Sequence, residues 1–267
     1  LLTVASNWLF TAQVAWVWFI AQNMAFTLTL MAIYYAHRGK AGLSLALWAC
    51  AVGCRPLQFF ALPILLYLLY ERFKNEKLSV VIKKKWVCVI PMAFIALIYM
   101  WLNFARFGNP LEFGHNYLPE FTEAEHGQFN IVYVLENLKS LVRLPKISLG
   151  GAWEYQAFNG TCMFLISPIF VCAVIYGVKG IFTKDTDKKL VILTFVMAFV
   201  QLLAITAHKT MGGSQFGNRY TNDILPLMLL IIAVSLKRKN DISSLNYILF
   251  LIGITVNVIG SVLYYIG

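Results

Sequence analysis

The chain has 267 residues, of which 60% are hydrophobic and only 13% charged, with a formal net charge of +10. Soluble domains average about 25% charged residues, and so little polar side chain cannot cover a soluble surface of this size. A soluble enzyme is therefore excluded. A nucleic-acid binder is excluded too, because the cations sit in short clusters between apolar runs, as cytoplasmic loops beside anionic lipid do.

The sequence enters at Leu1 directly in apolar residues, with no charged leader region. The expectation is the C-terminal part of a longer multi-span protein, with residues 1–12 as the outer end of a truncated helix. Val14 to Ala36 is long enough to cross the hydrocarbon, which takes about 20 apolar residues. Trp8, Trp16 and Trp18 gather at its start like an interfacial aromatic belt. It ends at His37, Arg38, Gly39 and Lys40, placed inside.

Ala41 to Tyr70 is apolar over a length that as one helix would reach roughly 45 Å, too long for an ordinary span. Gly53-Cys54-Arg55-Pro56 interrupts it. Cations flank both ends: Arg38 and Lys40 before it, and Arg72, Lys74, Lys77, Lys83, Lys84 and Lys85 after it. Both ends are thus placed inside. Two short helices in a hairpin, with Arg55 near the outer tip, satisfy this better than one long helix kinked at Pro56.

Trp86 to Phe104 returns to the outside and delivers a long polar loop, residues 106–160. Within it Ile131, Val134, Leu135, Leu138, Leu141 and Val142 recur at helical spacing, with Glu136, Lys139, Ser140 and Arg143 between them. That pattern predicts an amphipathic helix ended by Pro145, lying on the outer membrane surface or packed over the site face. Cys162 to Val178 spans inward to Lys179, Lys184, Lys188 and Lys189. Leu190 to Ala207 spans outward, Ile224 to Leu236 returns to Lys237, Arg238 and Lys239, and Leu245 to Ile266 is the last span. Most of the 22 Lys and Arg fall inside on this path, as the positive-inside rule requires. The fold class expected is all-α: a polytopic transmembrane helix bundle in one domain, residues 1–267, with an outer-face loop region.

Three stretches carry candidate chemistry. The first is the outer loop Lys209 to Asp223. Gly212, Gly213 and Gly217 supply flexible backbone, Arg219 can fork two donors onto a phosphate, and Tyr220 adds a hydroxyl. The N–H groups of Asn222 to Ile224, opening a helix, would add to an anion site. The competing account is a tight turn with an interfacial arginine reaching to headgroups. The second is Arg55, since an arginine inside an apolar run is expensive unless paired or wetted; Pro56 would free a carbonyl for it locally. Arg55 and Arg219 at outer helix ends could bracket a lipid-linked phosphate. The third is Asn103 to Tyr117, where Arg106, Glu112, His115 and Tyr117 mix charge, imidazole and aromatic faces suited to carbohydrate, or to interfacial anchoring around a Gly-Asn-Pro turn.

The outer carboxylates Glu112, Glu120, Glu123, Glu125, Glu136, Glu154 and Asp223 include no spacing that selects a general base. Glu123, Glu125 and His126 fit a solvated loop better than a metal trio, so no metal is expected on this segment. Cys50, Cys54, Cys88, Cys162 and Cys172 lie in or at the ends of apolar runs as small packing residues, with no zinc or disulfide spacing. Asn159-Gly160-Thr161 matches a glycosylation sequon, a weak signal.

AGLSLALWACAVGCRPLQFFALPILLYLL (41–69), NFARFGNPLEFGHNY (103–117) and GGSQFGNRYTNDILP (212–226), in that order, resemble the GT-C superfamily of multi-span glycosyltransferases, and more closely bacterial kin of the protein mannosyltransferases. The resemblance implies an inverting transfer from a polyprenyl-phosphate sugar to a glycan, lipid or protein acceptor on the outer face of a bacterial plasma membrane. It implies that Arg219 and Tyr220, with Arg55, hold the donor phosphate. The family's acidic base lies in a first outer loop to which no residue here is matched, so the catalytic residue is unassigned. Met211 and Ser214 depart from the His and aromatic often found in relatives. Alternative readings from other classes are a transporter or flippase of lipid-linked saccharides, and a non-catalytic subunit of a membrane complex.

Overall fold

A computed structural model of the chain describes residues 4–76, 86–147, 153–154, 160–236 and 243–266. Lys77, Lys83, Lys84, Lys85, Asn159, Lys237, Arg238 and Lys239 lie outside them. Apart from a two-residue antiparallel ladder, β1 (Lys146–Ile147) with β2 (Trp153–Glu154), the described elements are helical. The chain divides into two compact units, Leu1–Asn23 with Phe129–Gly267, and Met24–Gln128.

Among the described residues four helices are long and apolar enough to cross a membrane: Val17–His37, Trp86–Phe107, Lys188–Thr206 and Ser244–Tyr265. Ala41–Cys54 and Ile169–Ile181 are shorter apolar helices. By length and composition these helices suit an α-helical membrane protein.

In chain order the helices are α1 (Trp8–Gln13), α2 (Val17–His37), α3 (Ala41–Cys54) and α4 (Leu62–Phe73). They continue with α5 (Ile90–Phe107), α6 (Val132–Val142), α7 (Ile169–Ile181), α8 (Lys188–Thr206), α9 (Leu225–Ser235) and α10 (Ser244–Ile266). Of residues 1–12, expected as the outer end of a helix, the described part, from residue 4, turns into a short helix. Trp8–Gln13 is a separate short helix that stops where Val14 turns extended (φ −127°, ψ 132°).

In the second unit α3 and α4 form the expected hairpin. Arg55 breaks the helix in an extended conformation (φ −145°, ψ 105°), and Pro56–Ala61 follows as a 3₁₀ turn. The two helices run back along each other, because a Cβ on Gly39, just before α3, would lie 3.0 Å from Arg72 Cγ in the last turn of α4. Polar side chains tie the hairpin. Trp48 Nε1 donates to Gln58 O (3.0 Å), Thr29 Oγ1 to Gln58 Oε1 (2.9 Å) and Ser44 Oγ to Ala32 O (2.8 Å). Small residues let α5 approach α3 closely, as membrane helices do: a Cβ on Gly53 would fall 2.1 Å from the Tyr99 ring. α5 buries none of its side chains, which suits a helix solvated by hydrocarbon. It ends where Gly108 turns left-handed (φ 68°) and donates its N–H to Phe104 O, the usual glycine cap.

In the first unit α9 packs against α7 and α8. A Cβ on Gly177 would meet the Phe195 ring at 2.4 Å and Ile231 at 2.7 Å, and one on Gly180 would meet Ser235 Oγ at 2.6 Å. The expected single span Cys162 to Val178 is broken. Met163–Ile166 makes one turn, and Ser167 (φ −129°, ψ 75°) leaves the helical region before Pro168 and α7. The residue before a proline is pushed toward extended backbone.

The amphipathic helix forms as α6, ending at Arg143, but with a different inward face. Asn137, Ser140 and Leu141 are buried, while Ile131, Val132, Leu135 and Val142 are exposed. The reason is a cap: Asn137 Nδ2 donates to Thr206 O (2.8 Å) and His208 O (2.7 Å), carbonyls at and just past the end of α8. Helix C-termini leave such carbonyls unmatched.

Candidate functional site

The polar segment after α8 is folded inward. His208 to Asp223 passes through two left-handed glycines, Gly212 (φ 116°) and Gly213 (φ 73°), and a third at Gly217 (φ 76°). Gly217 has no room for a side chain, since a Cβ would lie 2.3 Å from the Asn7 amide and 2.9 Å from Ile166. Arg219–Ile224 then forms a 3₁₀ turn leading into α9.

Arg219 lies inside this fold, 7% exposed. It donates from Nε (3.0 Å) and Nη2 (2.8 Å) to the carbonyl of Gly212. Its guanidinium carbon is 5.0 Å from the Tyr220 ring centroid and 5.4 Å from that of Phe19, within cation–π range. Its backbone N–H donates to Gln215 Oε1 (2.8 Å), and Gln215 Nε2 returns to Met211 O (2.7 Å). The loop is thus closed on itself through the arginine it carries. Tyr220 also faces the His208 ring (centroids 5.6 Å apart), which in turn faces Phe129 at 5.0 Å.

The elements beneath the loop come from far away in sequence. With its amide turned to satisfy both atoms, Asn7 donates to Phe216 O (3.0 Å) and accepts from the N–H groups of Asn218 (3.1 Å) and Arg219 (2.9 Å). Gln22, on α2, donates from Nε2 to Arg219 O (2.6 Å) and Asp223 Oδ1 (3.0 Å). Gln201, on α8, donates to Asp223 O (3.2 Å). Asn222 Nδ2 donates to Thr11 Oγ1 (3.4 Å). Phe10 packs with Phe19 and Phe216 under the loop. Not all of this polar inventory is matched: both side-chain atoms of buried Asn218, with Asn222 Oδ1 and Gln22 Oε1, have no hydrogen-bond partner. Buried amides left so are uncommon in folded proteins.

The N–H groups of Asn222 to Ile224, expected to add to an anion site, lie in this 3₁₀ turn. Asn222, Asp223 and Ile224 are all buried there, and Asp223 Oδ1 accepts from Gln22 Nε2. Asn7, Thr11, Gln22, Gln201, Gln215 and Asn218 were not singled out from sequence. The usable signal was polar side chains inside apolar runs, above all Gln22 within a span.

In the second unit Arg55 is buried at the hairpin tip, 9% exposed. Glu112, His115 and Tyr117 share one local turn. Glu112 accepts from Gly114 N–H (2.7 Å) and Asn116 Nδ2 (2.8 Å). The Asn116 amide, helped by the backbone N–H groups of Gly114, Asn116 and Phe113, holds the Glu112 carboxyl below its ordinary pKa. Tyr117 is exposed and stacks on Phe107 (centroids 5.4 Å), and His115 meets the Phe121 ring at 6.4 Å. Arg106 is exposed in the last turn of α5. Among the described residues no three His, Cys, Asp or Glu side chains converge as a metal site would require. No family model, curated protein or solved structure matches the chain.

Proposed function

We propose that the protein is a GT-C-like membrane glycosyltransferase that moves a sugar from a polyprenyl-phosphate donor to an acceptor on the outer membrane face, with Arg219 as the donor-phosphate ligand. The observation that carries this reading is the pairing of the Arg219 guanidinium with a neutral acceptor, the Gly212 carbonyl, on a glycine-rich loop. A phosphate is the stronger partner for that fork, because both charges then contribute to the hydrogen bonds. Gly213 is the open position of that loop, where a Cβ would meet nothing within 4 Å. In the reaction an acceptor oxygen bonds to the sugar's anomeric carbon. The carbon–oxygen bond to phosphate breaks, and the lipid phosphate leaves with the electron pair. Arg219 stabilises the charge gathering on that phosphate, the term that dominates such transfers. The acceptor's proton goes to a base that none of the residues assigned here supplies.

The test is transfer from a radiolabelled polyprenyl-phosphate hexose in proteoliposomes. Arg219→Lys keeps the charge and loses the fork, and turnover should fall roughly 100-fold or more. Unchanged turnover in a folded Arg219→Lys protein overturns the assignment. Saturable donor binding by the unaltered protein without transfer favours the transporter or subunit reading.

A further inference from the structure

A second site lies along the other half of α9, away from the Arg219 turn. α10 is fastened to the α7 side at two points. Asn257 Nδ2 donates to Ile166 O (2.7 Å) at one, and Asn246 Nδ2 donates to the Tyr176 hydroxyl at the other. These clamps are eleven residues apart on α10, about 16 Å along the helix axis. Between α7, α9 and α10 the chain leaves a slot of about 280 Å³, with walls that include Ile169, Cys172, Leu229, Ile232, Leu249 and Phe250.

Three properties narrow what fits. The polar groups at its edge are already used, since Tyr176 accepts from Asn246 and the Cys172 thiol donates to Asn246 Oδ1 (3.7 Å). The slot therefore offers a ligand almost pure hydrocarbon wall, and an apolar cavity excludes water. Its volume, about 280 Å³, lies at the small-ligand end of the range of binding pockets. A single flexible hydrocarbon chain fits. One end of the slot is marked by charge. Lys179 follows Tyr176 by about one helical turn, and Gly180 packs on Ser235 and Thr186, which brings the 182–189 connection to that end. The connection carries Lys184, Lys188 and Lys189 against Asp185 and Asp187, and Asp187 is occupied capping Leu190 N–H (3.0 Å).

We propose that this slot binds one acyl chain of an anionic glycerophospholipid, with the headgroup at Lys179 and the 184–189 lysines and the chain running past Cys172 toward Ile169. An acyl chain there would gain dispersion contact with α7, α9 and α10 together. A polyprenyl phosphate is a poorer occupant, since its phosphate would have to sit at the lysine end of α9, opposite the Arg219 turn. The proposal does not depend on the transferase reading.

The test uses the full chain in phosphatidylcholine nanodiscs containing a minor fraction of diazirine-acyl phosphatidylglycerol. Photolabelling should concentrate on peptides covering 169–176 and 229–236. Ile232→Trp, or Leu229→Phe should the first not fold, should reduce that labelling while leaving α5 labelling unchanged. Replacing Lys179, Lys184 and Lys188 by Gln, surface changes that do not touch the slot walls, should cut the preference for phosphatidylglycerol over a phosphatidylcholine probe roughly tenfold. Labelling no denser than on α5 and indifferent to the filling variants overturns the proposal. So does a diazirine polyprenyl phosphate outcompeting phosphatidylglycerol, or a crosslinked second copy of the chain in place of lipid.

Discussion

Two polar segments, both expected to meet ligand, are built on opposite plans. His208 to Asp223 is held by residues as distant as Asn7, Gln22 and Gln201, and most of its side chains are buried. Asn103 to Phe121 is held by near neighbours: Asn103 to Pro110, Asn109 to Leu111, Glu112 to Gly114 and Asn116. The first is ordered by the tertiary fold, so its geometry is set before a ligand arrives, and that lowers the ordering cost of binding. The second is a chain of local turns whose Tyr117 and Arg106 face outward, suited to adaptable contacts. A charge that must stabilise one particular atom belongs in the first kind of segment.

The contrast can be broken at its glycines. Gly217→Ala combines a left-handed backbone with a Cβ overlapping Asn7 and Ile166, and should cost about 2–5 kcal/mol. Gly213→Ala has the same backbone sign but open space, and should cost only about 1 kcal/mol. Thermal unfolding in detergent measures both, and equal losses would mean that burial of the loop is not what constrains it. A smaller effect is expected at the caps. Asn137→Ala leaves two carbonyls at the end of α8 without their donor, for about 1–3 kcal/mol. Asn116→Ala, on the exposed turn, should stay within about 0.5 kcal/mol.

The smallest effect is a titration. The Glu112 carboxyl is held below its ordinary value by Asn116 and the turn's N–H groups. A depressed folded pKa contributes stability that is present above the unfolded pKa, about 4.3, and is lost as pH falls through the folded value. Amide protection over 112–117, taken as the exchange rate relative to the intrinsic rate at each pH, should therefore fall as the sample is taken from pH 6 to below about pH 4. Glu112→Gln should remove that dependence, whereas exchange over 215–223 should not follow it.

Residue order alone shows where apolar runs are long enough to cross a membrane, that Gly53-Cys54-Arg55-Pro56 splits one of them into a hairpin, and that an arginine sits among glycines after the Leu190 to Ala207 run. Those are local properties: length, a missing N–H at proline, a backbone that only glycine adopts. Tertiary structure decided the rest. That Arg219 is buried against Gly212, that Asn7 and Gln22 support it from some two hundred positions away, and that α6 turns Asn137 and Ser140 inward with Leu141 while Ile131, Leu135 and Val142 stay exposed depend on which groups meet. Hydrophobic periodicity could not supply them. In a bilayer the outward face is as apolar as the inward one, so pattern does not distinguish core from surface, and inside the protein polar partners are chosen by the need to match every buried donor and acceptor.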